Sequence, residues 1–438
     1  MKTKRTYRAV NVHNVVGSSL LALLPATVVL VGLDVAKFEL AAAFAGPDGL
    51  CQFLVRFKHP GQTLLFLDLL EQLIKGGKQL QVAMEPTGTY GDALCGQLHQ
   101  RQIPVYLVSP KKTHDAAELY DGVPSKHDNK DATLVVRLHA QGLSKHWQPQ
   151  QAERRKLRAL VTRREIYADS VERLHGKLEP LLARHWPELD GLMELRRSST
   201  VLHVLQNYPA PALVKDNAQA VRELMGRHSR RRLTEETINA VIQSAQTTLG
   251  VPVVQQEQEL LCAMATELLR LIGEQDQVGQ QIKEALAEQG PGLRGLTAML
   301  GATTTAVVVS MLGDPAGYSS AEALTKGCGL NLKERSSGTD KDRGLHITKR
   351  GPAMVRKYLH LATLRWLQKD PVARAWYLKR SGYREDSKMR AVVALTRKLV
   401  KAIWHVAKGQ SYEASRLFDL RRLKLETKEP GVQPSAAA

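Results

Sequence analysis

Aromatic residues make up only 5% of the 438 residues. So small a supply argues against a β-sandwich, and the abundance of Ala and Leu favours helices. Cysteine is sparse too: Cys51, Cys95, Cys262 and Cys328 stand far apart, with no Cys-x-x-Cys spacing. That excludes a zinc ribbon or a disulfide framework and makes a reducing cytoplasm the expected compartment. A membrane-spanning run is also lacking. The nearest candidate, "SSLLALLPATVVLVGL" after a basic start, is broken by Pro25 and ends without an Ala-x-Ala-like cleavage site. It runs straight into "GLDVAKFEL", which reads as a buried strand, so residues 1–26 are expected to form an N-terminal extension. Acidic charge is what the C-terminal part lacks. From Asn331 onward there are 25 Lys/Arg against 10 Asp/Glu, which leaves only +4 of the net +19 for the first 330 residues. So concentrated an excess points to a polyanion, nucleic acid first, since the apolar face of a membrane-surface anchor is not evident.

What is there divides the chain into regions. From 27 to 148 the pattern is α/β. "TVVLVGLDVA" reads as a central strand, and "FELAAAFAG" and "CQFLVRF" alternate with period two around a Gly46–Gly49 turn, as in an antiparallel hairpin. Helix and strand then alternate through "GQTLLFLDLLEQLIKGG", "LQVAMEP", "TYGDALCGQLHQRQ" and "PVYLVSP", and two helices, "KKTHDAAELYDG" and "DNKDATLVVRLHAQG", complete the set. That order predicts an RNase H-like α/β domain. Residues 149–290 keep apolar residues at helical spacing over two long stretches and predict a coiled-coil-like linker or oligomerisation region, with a compact bundle as the alternative. Residues 291–425 form a basic, mainly α region, and 426–438 read as a disordered tail.

Within "SKHDNKDA", Asp128 and Asp131 lie three apart and share a helix face, opposite a side carrying Ala132, Val135, Val136 and Leu138. Two acids on one face ask for something positive between them, either a Lys or Arg or a divalent cation. Asp34 at the end of the first strand and Glu85 at the end of the fourth are the further acids that this strand order brings to the same place. Four carboxylates buried together would force protonation of some of them unless a cation intervened. Carboxylate oxygens suit Mg²⁺, and a pair of such ions can stabilise the attacking and leaving oxygens of a phosphodiester.

"GLDVAK", "MEPTGTY" and "SKHDNKDA" together resemble the three acidic motifs of the DEDD transposases in the one-ten family of bacterial insertion sequences. The resemblance implies a RuvC-like RNase H fold at the N-terminus, a separate serine-bearing domain at the C-terminus, and Asp34, Glu85, Asp128 and Asp131 as the metal ligands. "GCGLNLKERSSGTDKDRGLHITKRGPAMVRKYL" is similar to the family's transposase domain and sets Ser337, before Gly338, on the nucleophile position, with Ser336 its rival. By itself a Ser-Ser-Gly in a basic loop reads as a flexible turn. Lys333, Arg335, Lys341, Arg343, Lys349, Arg350 and Arg356 surround it and are the expected nucleic-acid contacts. Two positions depart from the family pattern. Leu332 stands where a proline is usual, and Gly301-Ala302-Thr303 replaces a Gly-x-Gly turn.

The implied function is that of a transposase, a site-specific recombinase that cuts and rejoins double-stranded donor and target DNA. Ser337 would attack a phosphodiester with help from Mg²⁺ at the four carboxylates. A structured guide RNA and a homo-oligomer, dimer or tetramer, are the further implied partners, with no membrane, and the place of action is the bacterial cytoplasm at the nucleoid. A DNA invertase of the same family and a metal-dependent junction nuclease that uses only the carboxylates are the alternatives.

Overall fold

In the computed structural model, residues 8–86, 88–119, 127–229, 232–288, 290–333, 346–382 and 384–423 are described. They divide into two units, Met1–Gln150 and Gln151–Ala438.

The first unit is built on a sheet. Its elements in chain order are β1 (Val10–Asn11), α1 (Gly17–Leu23), β2 (Val28–Val35), β3 (Glu39–Ala45), β4 (Cys51–Lys58), α2 (Thr63–Lys75), β5 (Gln79–Met84), α3 (Asp92–Gln100), β6 (Val105–Val108), α4 (Pro110–Ala116), α5 (Asp128–Ala140) and β7 (Ser144–His146). The sheet order is β1-β4-β3-β2-β5-β6-β7. The β2–β3 and β3–β4 pairs are antiparallel, whereas β5 lies parallel to β2 and β6 parallel to β5. The apolar run of β2 makes it the centre, because only a strand covered on both faces tolerates continuous apolar side chains. The turn between β3 and β4 closes where expected, with Gly49 at φ +72° donating its N–H to the Gly46 carbonyl.

The segment expected to be an extension contributes two elements from residue 10 onward. β1 pairs in parallel with β4, and α1 buries Leu20 while the following Leu24 is fully enclosed in the main core. Pro25 thus divides the early apolar stretch into a helix and a strand.

The two faces of the sheet carry different side chains. On one, Val29, Val31, Leu33, Phe44, Val55 and Phe57 meet α2 and its Phe66, which stacks on Phe57 with ring centroids 4.3 Å apart. On the other, Leu30, Ala41, Ala43 and Ala45 form a shallow surface for Ala132 and Val136 of α5. Gly32 decides how near α5 comes, since a Cβ there would stand 2.4 Å from the Ala132 carbonyl oxygen and 2.5 Å from the Val136 nitrogen.

The second unit is helical apart from one small ribbon. Two helices of 34 and 33 residues, α6 (Ala152–His185) and α12 (Gln255–Ala287), run antiparallel. Each is about 50 Å long at 1.5 Å per residue. Between them in sequence come α7 (Leu189–Leu192), α8 (Ser199–Asn207), α9 (Pro211–Asp216), α10 (Ala218–His228) and α11 (Glu235–Thr247). These close a core at one end of the pair around Leu178, Leu182, Trp186, Leu261 and Leu268. After α12 follow α13 (Pro291–Leu300), α14 (Ala302–Leu312), α15 (Ala321–Gly327), β8 (Leu332–Lys333), β9 (His346–Ile347), α16 (Ala353–Lys369), α17 (Pro371–Ser381), α18 (Glu385–Ala407) and α19 (Ala414–Leu417). Most of these pack on the other end of the pair, against Leu157, Val161, Val278 and Ile282. Arg154 fastens that end, donating to the Ser310 and Met311 carbonyls at the close of α14. Glu165 of α6 accepts from Tyr358 of α16 at 2.9 Å and pairs with Lys357.

Candidate active site

Register brings the first two acids together. Leu33 of β2 pairs with Met84 of β5, so the next residues, Asp34 and Glu85, emerge side by side at the ends of two parallel strands. The second pair arrives on α5. Gly32 and Asp34 point to the same face, and α5 lies on Gly32 through Ala132 and Val136, so its first turn, with Asp128 and Asp131, comes out over Asp34. At its other end Ala140 and Arg137 press on Gly49, where a Cβ would stand 2.8 Å from the Ala140 Cβ. The N-cap residue His127 accepts the Lys130 N–H at 3.2 Å through Nδ1.

The electrostatics record the crowding. The Asp34 carboxyl is pushed up from 3.8 to about 7, first by burial and then by the negative charges of Asp131, Asp128 and Glu85. All four sequence-selected carboxylates therefore share one electrostatic neighbourhood. As the side chains stand, no three acidic, histidine or cysteine groups among the described residues converge closely enough to hold one ion. The donor set nevertheless suits a hard divalent cation, because carboxylate oxygens and accumulated negative charge are what such an ion needs.

Sequence reading missed Thr113. Buried in α4, its hydroxyl lies 2.5 Å from Glu85 Oε2 and 2.9 Å from the Pro110 carbonyl, and so orients the Glu85 carboxylate. Only the helix "KKTHDAAELYDG" pointed to it, and nothing in a lone threonine indicates which carboxylate it will meet.

Ser336, Ser337, Arg335, Lys341 and Arg343 lie outside the described residues. What is described is the pair of segments that flank them. β8 and β9 form an antiparallel ribbon, with Leu332 opposite Ile347 and Lys333 opposite His346. Below it two backbone segments cross. Lys349 donates its N–H to Gly329 and Thr348 to Asn331, and the Thr348 hydroxyl reaches the Asn331 side chain at 2.5 Å. Gly351 has no room for a Cβ, which would sit 2.4 Å from the Gly327 carbonyl oxygen. Lys333, Lys349 and Arg350 are exposed around this base. Arg356 instead donates to the Gly351 carbonyl at 2.6 Å, so it braces the crossing. A single glycine, Gly301 at φ +83°, makes the turn between α13 and α14.

Known proteins match both regions. A DEDD transposase model, described as "Transposase", matches residues 31–187, and one described as "Transposase IS116/IS110/IS902 family" matches residues 299–378. The first contains all four acids and the second Ser336 and Ser337 with the flanking ribbon, and together they span more than half of the chain. The chain is thus a transposase, an enzyme that acts on DNA. Among its relatives, an insertion element IS110 uncharacterized 43.6 kDa protein from Streptomyces coelicolor is 24% identical over 308 residues, covering 69% of this chain and 75% of its own. An insertion element IS116 uncharacterized 44.8 kDa protein from Streptomyces clavuligerus is 24% identical over 387 residues, covering 85% and 93%. The chain belongs to the IS110 family of insertion-element transposases. Among the described residues no helix is long and apolar enough to cross a membrane.

Proposed function

We propose that this transposase cuts and rejoins DNA through a serine nucleophile, assisted by Mg²⁺ at an RNase H-like, RuvC-like acidic site. The observation that carries the reading is the burial of Asp34 beside three other carboxylates where the central strands β2 and β5 end, which raises its proton affinity. A buried carboxyl whose charge is opposed by three neighbouring carboxylates favours the arrival of a divalent cation. Asp34, Glu85, Asp128 and Asp131 would hold the ion, the exposed Asp128 and half-buried Asp131 drawing inward to do so. Bound there, Mg²⁺ supplies charge stabilisation to phosphoryl oxygens.

The chain's own groups do the rest. Ser337 Oγ attacks phosphorus and gives up its proton, and the leaving sugar oxygen takes one, so the number of phosphoester bonds is unchanged. A hydroxyl of the partner strand can then reverse the step without ATP. Lys333, Lys349 and Arg350 at the ribbon base, with Arg335, Lys341 and Arg343 in the loop, would hold the backbone phosphates near the nucleophile. Joining two DNA sites calls for a homo-oligomer, and the basic surface equally suits a structured guide RNA. The DNA it would act on places this chemistry in the cytoplasm.

The test is a covalent adduct that survives denaturation, assayed on supercoiled donor and target DNA with Mg²⁺. Ser337→Ala should bind DNA while forming neither adduct nor recombinant, and Ser336→Ala should retain partial activity. An adduct from Ser337→Ala but not from Ser336→Ala would move the nucleophile to Ser336. Recombination by the wild type with no adduct would sink the serine mechanism and leave a carboxylate-only nuclease chemistry.

A further inference from the structure

Strand register brings a fifth side chain, Thr113, to the four carboxylates. β6 lies parallel to β5 with Leu107 opposite Met84, so the next residues, Val108 and Glu85, come level with each other. Ser109 is extended, and Pro110 opens α4 at the one helical position where a missing N–H breaks no bond. The first turn of α4 is thereby set against the end of β5, and there the Thr113 hydroxyl meets Glu85. One turn on, Ala116 joins an apolar cluster with Ala83 of β5 and Leu134 and Leu138 of α5, which holds α4 in place.

Thr113 is buried, and its hydroxyl oxygen stands between two acceptors. The Pro110 carbonyl oxygen is 2.9 Å away and Glu85 Oε2 is 2.5 Å away. The first contact is the return bond of a helical threonine to the residue three back, and it fixes the side-chain rotamer. A hydroxyl has one proton to donate, and a carbonyl can only accept. A carboxylate that holds a metal ion is deprotonated and can only accept as well. The one proton is then shared, with the shorter contact going to Glu85.

That contact engages one particular oxygen. To chelate an ion through both Oε1 and Oε2, Glu85 would have to turn and give up its bond to Thr113. Divalent ions differ on this point. Ca²⁺ accepts about six to eight oxygens in a loose shell and often takes both oxygens of one carboxylate. Mg²⁺ is smaller, keeps several waters and demands near-octahedral angles, which the narrow bite of a chelating carboxylate fits poorly. A Glu85 confined to one oxygen therefore suits Mg²⁺ and is a handicap for Ca²⁺.

We propose that Thr113 tips the acidic site towards Mg²⁺ over Ca²⁺, by holding Glu85 Oε2 and so restricting Glu85 to coordination through a single oxygen. Thr113 is a positioning residue, acting through Glu85 rather than on the ion. Its role rests on the reading of the four carboxylates as a divalent-ion site, and it decides which ion that site prefers.

The experiment uses the full chain, freed of nucleic acid and stripped with chelator, and follows its melting temperature as MgCl₂ or CaCl₂ is added. The concentration dependence gives an apparent affinity for each ion with no need of catalysis. Thr113→Val, close in shape but without the hydroxyl, should lose about tenfold in Mg²⁺ affinity, the lower end of what removal of an outer-shell partner costs. Its Ca²⁺ affinity should hold or rise, so the ratio of Mg²⁺ to Ca²⁺ affinity falls by about tenfold or more. Thr113→Ser keeps a hydroxyl and should restore the wild-type ratio. Melting temperatures in chelator report folding, and Thr113→Ala takes the place of the valine variant if that one does not fold. An unchanged ratio in a folded variant without the hydroxyl overturns this role and leaves the ion site standing. Equal losses for both ions, as from a site merely loosened, overturn it too. A wild type that responds to neither ion overturns the ion site itself, and the role of Thr113 with it.

Discussion

Replacing Asp34 by Asn tests the crowding of the four carboxylates without any DNA. In the unfolded chain the Asp34 carboxyl loses its proton near 3.8, and in the folded chain only near 7. Below pH 4 both states are protonated, so the substitution should change little. Between 4 and 7 the folded state holds the extra proton, so wild-type stability falls as pH rises, and above 7 the penalty is constant. A gap of about three pH units at 1.36 kcal/mol each sets a ceiling of about 4 kcal/mol. The carboxyl keeps some contact with solvent, and screening brings the expected gain of Asp34→Asn at pH 8 to about 2 kcal/mol. For a unit of this size that raises the melting temperature by roughly 4–8 °C. The assay is thermal unfolding in chelator at pH 4, 6 and 8, followed by titration with Mg²⁺. The gap between variant and wild type should open across the series, and added Mg²⁺ should close it by stabilising the wild type more. Equal melting temperatures at pH 8, or a variant destabilised at every pH, would refute the reasoning.

Gly32→Ala should destabilise the first unit by about 1–3 kcal/mol, because its Cβ meets backbone atoms of α5 that cannot swing away. It should also weaken any Mg²⁺-induced stabilisation by lifting Asp128 and Asp131 from Asp34, and a fully stable variant would mean that α5 does not rest on this glycine. The exposed cations at the ribbon base are better tested by substitution than by truncation near Gly329, which would remove Val355, Leu359 and Ile403 from the core of the second unit. Lys333→Gln, Lys349→Gln and Arg350→Gln combined should lower the slope of log affinity against log salt for duplex DNA by up to about 3, and an unchanged slope would place the DNA surface elsewhere.

Much of the first unit could be read from local pattern. The uninterrupted apolar residues of β2 declared a doubly covered strand, the period-two alternation of β3 and β4 a hairpin, and the acids stood at the ends those elements imply. The gathering of the acids was legible for a related reason: an acid at the end of a buried strand has few places to go, and four in the right order have fewer still. The start of the chain was harder. Leu20, Leu21 and Leu24 look alike in a leader and in a core helix, and only the packing of α1 against the sheet tells them apart. Closeness in space was not legible either. Gly32 reads as one more small residue in a strand until α5 is found against it, and Thr113 as one more polar residue until Glu85 is beside it. Periodicity is a property of neighbours along the chain and decides which face each residue shows. Which faces meet, and at what distance, is set by contacts between segments far apart in sequence, and those exist only once the chain has folded.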